Sequence, residues 1–183
     1  MEVVEALTTA LEAQRAVGRL VEPADLPRAT TCPGWSVFDV LNHSIGVTLK
    51  FAAFASGATD RPRSPTGDLI GSSLDDALGS AAATARRAWE SADMTRECQL
   101  PFGTFSAESA AGINLVDVLA HGRDIGSFRG RSFQCDDGVW SMGLAVAREL
   151  IGQPRDPRHH GQEIRVAASA PARQRFLGYL GRC

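Results

Sequence analysis

The sequence predicts an all-α fold: a bundle of four long helices, with a short hairpin or extended segment before the fourth and an extra helix at the C-terminus. Three observations predict it. Apolar residues recur at helical spacing through long stretches free of Pro. Ser-x-x-Asp patterns that can cap a helix stand in front of two of those stretches. Strand-like character is confined to one short segment. No internal repeat or second domain is visible, and residues 1–183 read as one helical-bundle domain.

The first helix spans residues 2–20, where Val3, Leu7, Leu11 and Val17 to Leu20 mark one face. Pro23 and Pro27 mark a connector, and Thr30-Thr31-Cys32-Pro33-Gly34-Trp35 has the composition of a tight turn. Ser36 with Asp39 then opens the second helix, which runs through Val40, Leu41, Ile45, Leu49 and Ala52 to about Ala55. Residues 56–72, rich in Gly, Pro, Ser and Asp, read as an exposed loop. Ser73 with Asp76 starts an Ala-rich third helix over 73–92. Residues 96–106 surround Pro101-Phe102-Gly103-Thr104 and read as the hairpin or extended segment. A fourth helix covers about 106–128 and stops at Gly130. A fifth covers about 137–151, closed by Gly152 and Pro154. The tail 155–170 is basic and irregular, and 171–180 forms a last short helix with Pro171 in its first turn.

Composition excludes several function classes. With 44% hydrophobic and 22% charged residues the chain is globular rather than disordered. A formal net charge of −2 argues against nucleic acid as the main partner, because phosphate binding needs a basic patch. Its longest apolar runs, such as residues 51–55, are far too short for a bilayer. The acidic start Met1-Glu2-Val3-Val4-Glu5 lacks the pattern of a secretion signal, so a soluble cytoplasmic protein is expected. The single lysine, Lys50, has no partner in view for Schiff-base chemistry. Cys32, Cys98, Cys135 and Cys183 form no CxxC pair and are expected as free thiols, with Cys32 and Cys98 as small buried hydrophobes. No charged residue adjoins Cys32 in sequence to support a redox role.

The chemistry centres on histidine. His43 falls on an apolar stripe of the second helix, with Val40, Val47 and Phe51. His121 follows Asp117 by four residues, so both side chains leave one face of the fourth helix. A carboxylate and an imidazole so placed can hold a metal, and a histidine from a neighbouring helix would leave open positions for water or substrate. The N/N/O set suits Zn as well as Fe(II), Ni(II) or Mn(II). The plainer alternative is that Asp117 and His121 hydrogen-bond each other and His43 is a satisfied core histidine. Trp35, Phe38, Phe51, Phe54 and Trp89 are expected in the core. His159 and His160, with Arg155 and Arg158, read as solvated surface.

Thr31-Cys32-Pro33-Gly34-Trp35-Ser36-Val37 followed by Leu41-Asn42-His43 resembles the DinB-like bundle family. The match is to its actinobacterial branch, related to the N-terminal domain of mycothiol-dependent maleylpyruvate isomerase. Pro101-Phe102-Gly103-Thr104-Phe105 followed by the run Gly112 to Gly122 is similar to that branch's metal helix, and Ala170-Pro171 with Leu180-Gly181-Arg182 to its C-terminus. The resemblance implies a divalent metal, zinc first, held by His43, Asp117 and His121. The acid is Asp here where those isomerases have Glu. One methylene shorter, it reaches the ion directly or through a water, or sits behind a ligand. Asp124 is an alternative ligand, or a group that orients the site. Arg123 stands where relatives have Trp and is the candidate to bind a substrate carboxylate. Those isomerases carry a second domain, for which this chain is too short.

The resemblance therefore implies a metal-dependent S-transferase or isomerase that uses mycothiol or a similar thiol on a small-molecule substrate. Two alternatives stand beside it: a thiol-independent isomerase, cyclase or hydrolase on the same metal, and a non-catalytic metal- or ligand-binding bundle. Such proteins are often dimers, and the Ala-rich third helix offers a packing face for a homodimer. The scarcity of lysine beside abundant Arg and Ala fits a high-GC, mycothiol-making host.

Overall fold

A computed structural model describes residues 1–59, 66–128, 130, 133–151, 155 and 161–182. Its elements run α1 (Val3–Gly18), α2 (Val37–Ala55), α3 (Leu74–Glu90), β1 (Glu97–Leu100), β2 (Gly103–Ser106), α4 (Ala107–Ser127), α5 (Asp137–Leu150) and α6 (Ala172–Tyr179), with a single 3-10 turn at Pro23–Asp25. This is the all-α, DinB-like helical fold that the sequence predicts, with the hairpin before the fourth helix and the extra C-terminal helix in place. Gly152 and Pro154, expected to close α5, lie outside the described residues.

The first four helices form a bundle in which α1 and α2 each pack against both α3 and α4; α5 lies on α4 and α1, and α6 on α5. α2 and α4 are antiparallel. His43, near the start of α2, meets Asp117 and His121, late in α4. At the opposite end Arg96 donates to the last carbonyls of α2, those of Phe54 and Ala55. Those carbonyls have no partner within their own helix, so the guanidinium completes the helix end. The hairpin pairs Glu97 with Ser106 and Leu100 with Gly103, and feeds straight into α4.

The core is continuous from α1 to α6, with Trp89, Trp140, Phe54, Phe133 and Phe176 among its fully buried side chains. The Ala-rich stretch of α3 turns Ala81, Ala82 and Ala85 inward, where small side chains let the helices approach closely. Arg15 reaches across from α1 to Asp75 at the start of α3 with two parallel bonds of 2.7 and 3.0 Å, and Arg19 adds a third at 2.8 Å. No helix among the described residues is long and apolar enough to cross a membrane.

Three local expectations are corrected. Residues 66–70 are not a free loop: the Asn42 amide donates to the Gly67 carbonyl (2.8 Å) and accepts from the Leu69 N–H (2.6 Å), and Ile70 is buried. Pro171 precedes α6 as its N-cap rather than sitting inside the first turn. Arg155 is buried, not solvated. It donates to the Tyr179 carbonyl and lies over the Tyr179 ring at 4.2 Å, so its charge is met by an oxygen and a π-face. Arg158, His159 and His160 lie outside the described residues, as does Cys183.

Candidate metal centre

The segment leading into α2 sets the geometry. Ala29 bridges to Ser36, the Thr30 N–H bonds to the Trp35 carbonyl (3.1 Å), and the Trp35 N–H to that of Cys32 (3.1 Å). Gly34 turns the chain with φ of 78°, a conformation that favours glycine. Ser36 and Asp39 then form the expected reciprocal cap. The Ser36 hydroxyl accepts from the Asp39 N–H (3.2 Å) and the Asp39 carboxylate from the Ser36 N–H (2.9 Å). This cap fixes where α2 begins, and so the rotation at which His43 faces α4.

His43, Asp117 and His121 come together. Nε2 of His43 lies 3.5 Å from Oδ1 of Asp117, and Nε2 of His121 lies 3.7 Å from the same oxygen. One ligand atom from each falls within 4.8 Å of the others. The other oxygen, Oδ2 of Asp117, is buried and makes no hydrogen bond among the described residues. Burial pushes the Asp117 carboxyl up, but the two imidazoles more than offset it and hold it below the usual carboxylate range. His43 is half-buried rather than a closed core residue, so the cluster sits near the surface end of the bundle.

Asp124 lies on the other side of His121. Its Oδ2 is 3.2 Å from Nδ1 of that ring, away from the Nε2 that faces Asp117. Asp124 is 1% exposed and accepts from Arg182 and from the Thr31 hydroxyl at 2.9 Å. Burial raises its pKa, but the hydrogen bond to His121 and the Arg182 charge more than offset this and hold it below the usual range. An ionised carboxylate only accepts, so a neutral His121 carries its proton on Nδ1 and turns the Nε2 lone pair toward Asp117. Two acceptors then face each other across 3.7 Å. That arrangement, the unpartnered Asp117 oxygen and the N/N/O donor set all fit a cation held between them.

Two expectations change at the rim. Trp35 is not core: it is half-buried, edge-on to His43 with centroids 4.8 Å apart and stacked on His121. Cys32 has a charged neighbour after all. Arg182 hydrogen-bonds it from the far end of the chain, although burial still pushes the thiol up. Arg123 makes its contacts with the Thr31 hydroxyl and Asp124 (3.7 Å). Thr31 and Arg182 were missed from sequence. The only signal for either was its place in a motif, Thr31 beginning the run to Trp35 and Arg182 following Leu180-Gly181.

A sequence model of the family described as mycothiol maleylpyruvate isomerase N-terminal domain matches residues 7–126. The chain belongs to this family. The matched stretch holds His43, Asp117, His121 and Asp124 and ends before α5, α6 and Arg182. The chain is similar to an uncharacterized protein of Mycobacterium tuberculosis, matched in two strains. It is 28% identical over 156 residues, covering 84% of this chain and 82% of the relative. The crystal structure of a mutant of mycothiol-dependent maleylpyruvate isomerase superposes with a TM-score of 0.59 at 17% identity, over 90% of this chain and 75% of that one. The fold is therefore shared with a family member well beyond close sequence relatives.

Proposed function

We propose that this protein is a divalent-metal-dependent enzyme acting on a small molecule with a mycothiol-type thiol, as an S-transferase or isomerase. The carrying observation is the His43–Asp117–His121 cluster, its ligand atoms within 4.8 Å and one buried carboxylate oxygen unpartnered. Family membership and the likeness to a mycothiol-dependent maleylpyruvate isomerase support the thiol and the isomerase-type chemistry. The whole chain, 1–183, works as one domain in this reading, since the core runs unbroken from α1 to α6.

His43, Asp117 and His121 would hold the cation, zinc first, with Fe(II), Ni(II) or Mn(II) compatible with the same donors. Bound there, a divalent cation supplies positive charge that favours a thiolate over a thiol and polarises a carbonyl. Asp124 keeps the His121 proton on Nδ1 and so keeps Nε2 available. Trp35 covers one face of His121 and shields that side from water. Arg123 offers its remaining N–H donors to a substrate carboxylate from a position already held by Thr31.

Elemental analysis of tag-free wild type and His121→Ala tests the site. Near-stoichiometric metal in the first and its loss in the second is expected. A wild type that takes up no zinc, nickel, iron or manganese on reconstitution overturns the metal reading. Calorimetric titration of the loaded protein with mycothiol then tests the thiol. Absence of binding would leave a metal enzyme without a thiol partner.

A further inference from the structure

The last described residue touches the centre. Arg182 donates to Oδ2 of Asp124, the same oxygen that meets Nδ1 of His121. We propose that Arg182 is a positioning residue for the site: through Asp124 it fixes the ring orientation and tautomer of His121.

The backbone places Arg182 through a defined turn. α6 closes with the Arg182 N–H bonded to the Leu177 carbonyl (2.8 Å) and the Gly181 N–H to that of Gly178 (3.0 Å). That pair of bonds is the Schellman closure, with Gly181 in the left-handed region at φ of 72°. A Cβ on Gly181 would meet the Gln162 carbonyl oxygen and the Gly161 backbone at 2.6 Å, so the position also needs glycine for space. Leu177 and Leu180 are buried beside it and seat the turn on the body of the protein. The arginine is thus delivered by a rigid turn, not by a loose tail.

The partner explains why the arginine is needed. A carboxylate with 1% exposure is costly unless it is paired and fully hydrogen-bonded. Thr31 satisfies Oδ1 and Arg182 satisfies Oδ2, from segments that precede and follow α4. Held in place from both sides, Asp124 keeps Oδ2 directed at Nδ1 of His121. Without Arg182 the carboxylate is free to rotate, and His121 loses the fixed partner that orients its ring and meets its Nδ1. The metal consequence rests on the reading of the His43–Asp117–His121 cluster given above; the tautomer consequence does not.

The experiment uses the full chain labelled with 15N at histidine, without metal, and long-range proton–nitrogen correlation. His121 is assigned through the His121→Ala spectrum. Wild type is expected to show His121 as the Nδ1–H tautomer, and Arg182→Ala and Asp124→Asn a mixed or reversed population. Gly181→Ala, which shifts the turn but keeps the charge, is expected to fall between. Zinc affinity by chelator competition should drop about 10–100-fold in Arg182→Ala, with partial recovery in Arg182→Lys. Folded variants with wild-type tautomer and wild-type zinc affinity overturn the proposal. A wild type that binds no zinc overturns the metal reading, while the tautomer measurement still decides on Arg182. If Arg182→Ala does not fold, Arg182→Gln is read in its place.

Discussion

Trp35 lies flat against His121, with ring planes 4° apart and centroids 5.8 Å apart. It also stands edge-on to His43. One indole thus touches both imidazoles of the candidate centre. The other two tryptophans, Trp89 and Trp140, are 1% exposed and packed in the core.

Trp35 should therefore report on the site by fluorescence. Adding zinc to the metal-free protein is expected to change emission in a saturable way, and Trp35→Phe to abolish the change. His43→Ala should abolish it too, since the cation loses a ligand. A zinc-dependent change that persists in Trp35→Phe would locate the effect elsewhere.

Asp75 gives a pH prediction. The Arg15 and Arg19 guanidiniums hold its carboxyl down at about 2, against about 3.9 in an unfolded chain. A carboxylate with a lowered folded pKa stabilises above its unfolded value and loses that stabilisation as pH falls through the folded one. Wild type should exceed Asp75→Asn in urea midpoint at pH 5, with the gap closing between about pH 4 and pH 2. Because the pair is partly exposed, the gap should also shrink in high salt. A gap independent of pH would show that Asp75 acts through packing or helix capping instead.

The described cysteines should be unreactive in the native state. Burial, with Asp136 nearby, pushes the Cys135 thiol up to about 12, which lowers its thiolate fraction roughly a thousandfold from that at 9.0. Burial raises Cys32 as well, and Cys98 is 2% exposed with its sulfur 3.6 Å from the Phe54 carbonyl oxygen. In a Cys183→Ser variant, iodoacetamide at pH 7.5 should alkylate the native protein at least about a hundredfold more slowly than the denatured one. Fast native labelling at Cys32 would reveal a thiolate stabilised by Arg182.

How much of this was legible in the sequence follows the range of each interaction. The Ser36–Asp39 cap, the hairpin around Pro101 and the Asp117/His121 pair all depend on residues three or four apart, and each stands where the spacing puts it. That His43 is the partner of that pair came from the resemblance, because helix order in a bundle is not written in periodicity. In the second layer Asp124, three residues after His121, was legible as a group that orients the site, whereas the residues that hold Asp124 were not. Thr31 and Asp124 are 93 positions apart and Arg182 and Asp124 58, and no local pattern pairs them. Trp35 was misplaced for a related reason: an aromatic beside a turn reads as core until the opposite helix is known. Arg155 was misread because composition says a basic tail is wet, while the burial of Arg155 is decided by the Tyr179 ring and carbonyl.

Asn114 marks a stability trade inside the bundle. It is fully buried on α4, and neither amide atom has a hydrogen-bond partner among the described residues. A buried polar group left unsatisfied costs about 1–3 kcal/mol, so Asn114→Leu, which keeps the branched shape though it is bulkier, should stabilise the protein by about 1 kcal/mol. For a chain of this size that raises the melting temperature by roughly 2–4 °C. A lower melting temperature would mean that a bridging water satisfies the amide in solution.

Gly122 links the site to the core behind it. It follows His121 on α4, and a Cβ there would meet the Phe133 ring at 2.5 Å. Phe133 has no room to yield: it is 1% exposed and stands edge-on to the Trp140 ring, centroids 5.7 Å apart. Trp140 in turn packs against Phe176 of α6, the helix whose closing turn carries Arg182. Forcing a methyl into so tight a contact costs about 1–3 kcal/mol, so Gly122→Ala should melt several degrees below wild type. Displacing Phe133 pushes toward α5 and α6 and so disturbs the Arg182 turn as well. Gly122→Ala should therefore weaken zinc binding, whereas Gly112→Ala, which meets Val146 nearly three turns earlier on α4, should lower the melting temperature and leave zinc binding unchanged. Equal zinc affinity in both variants would show that core packing at α5 and α6 does not reach the centre.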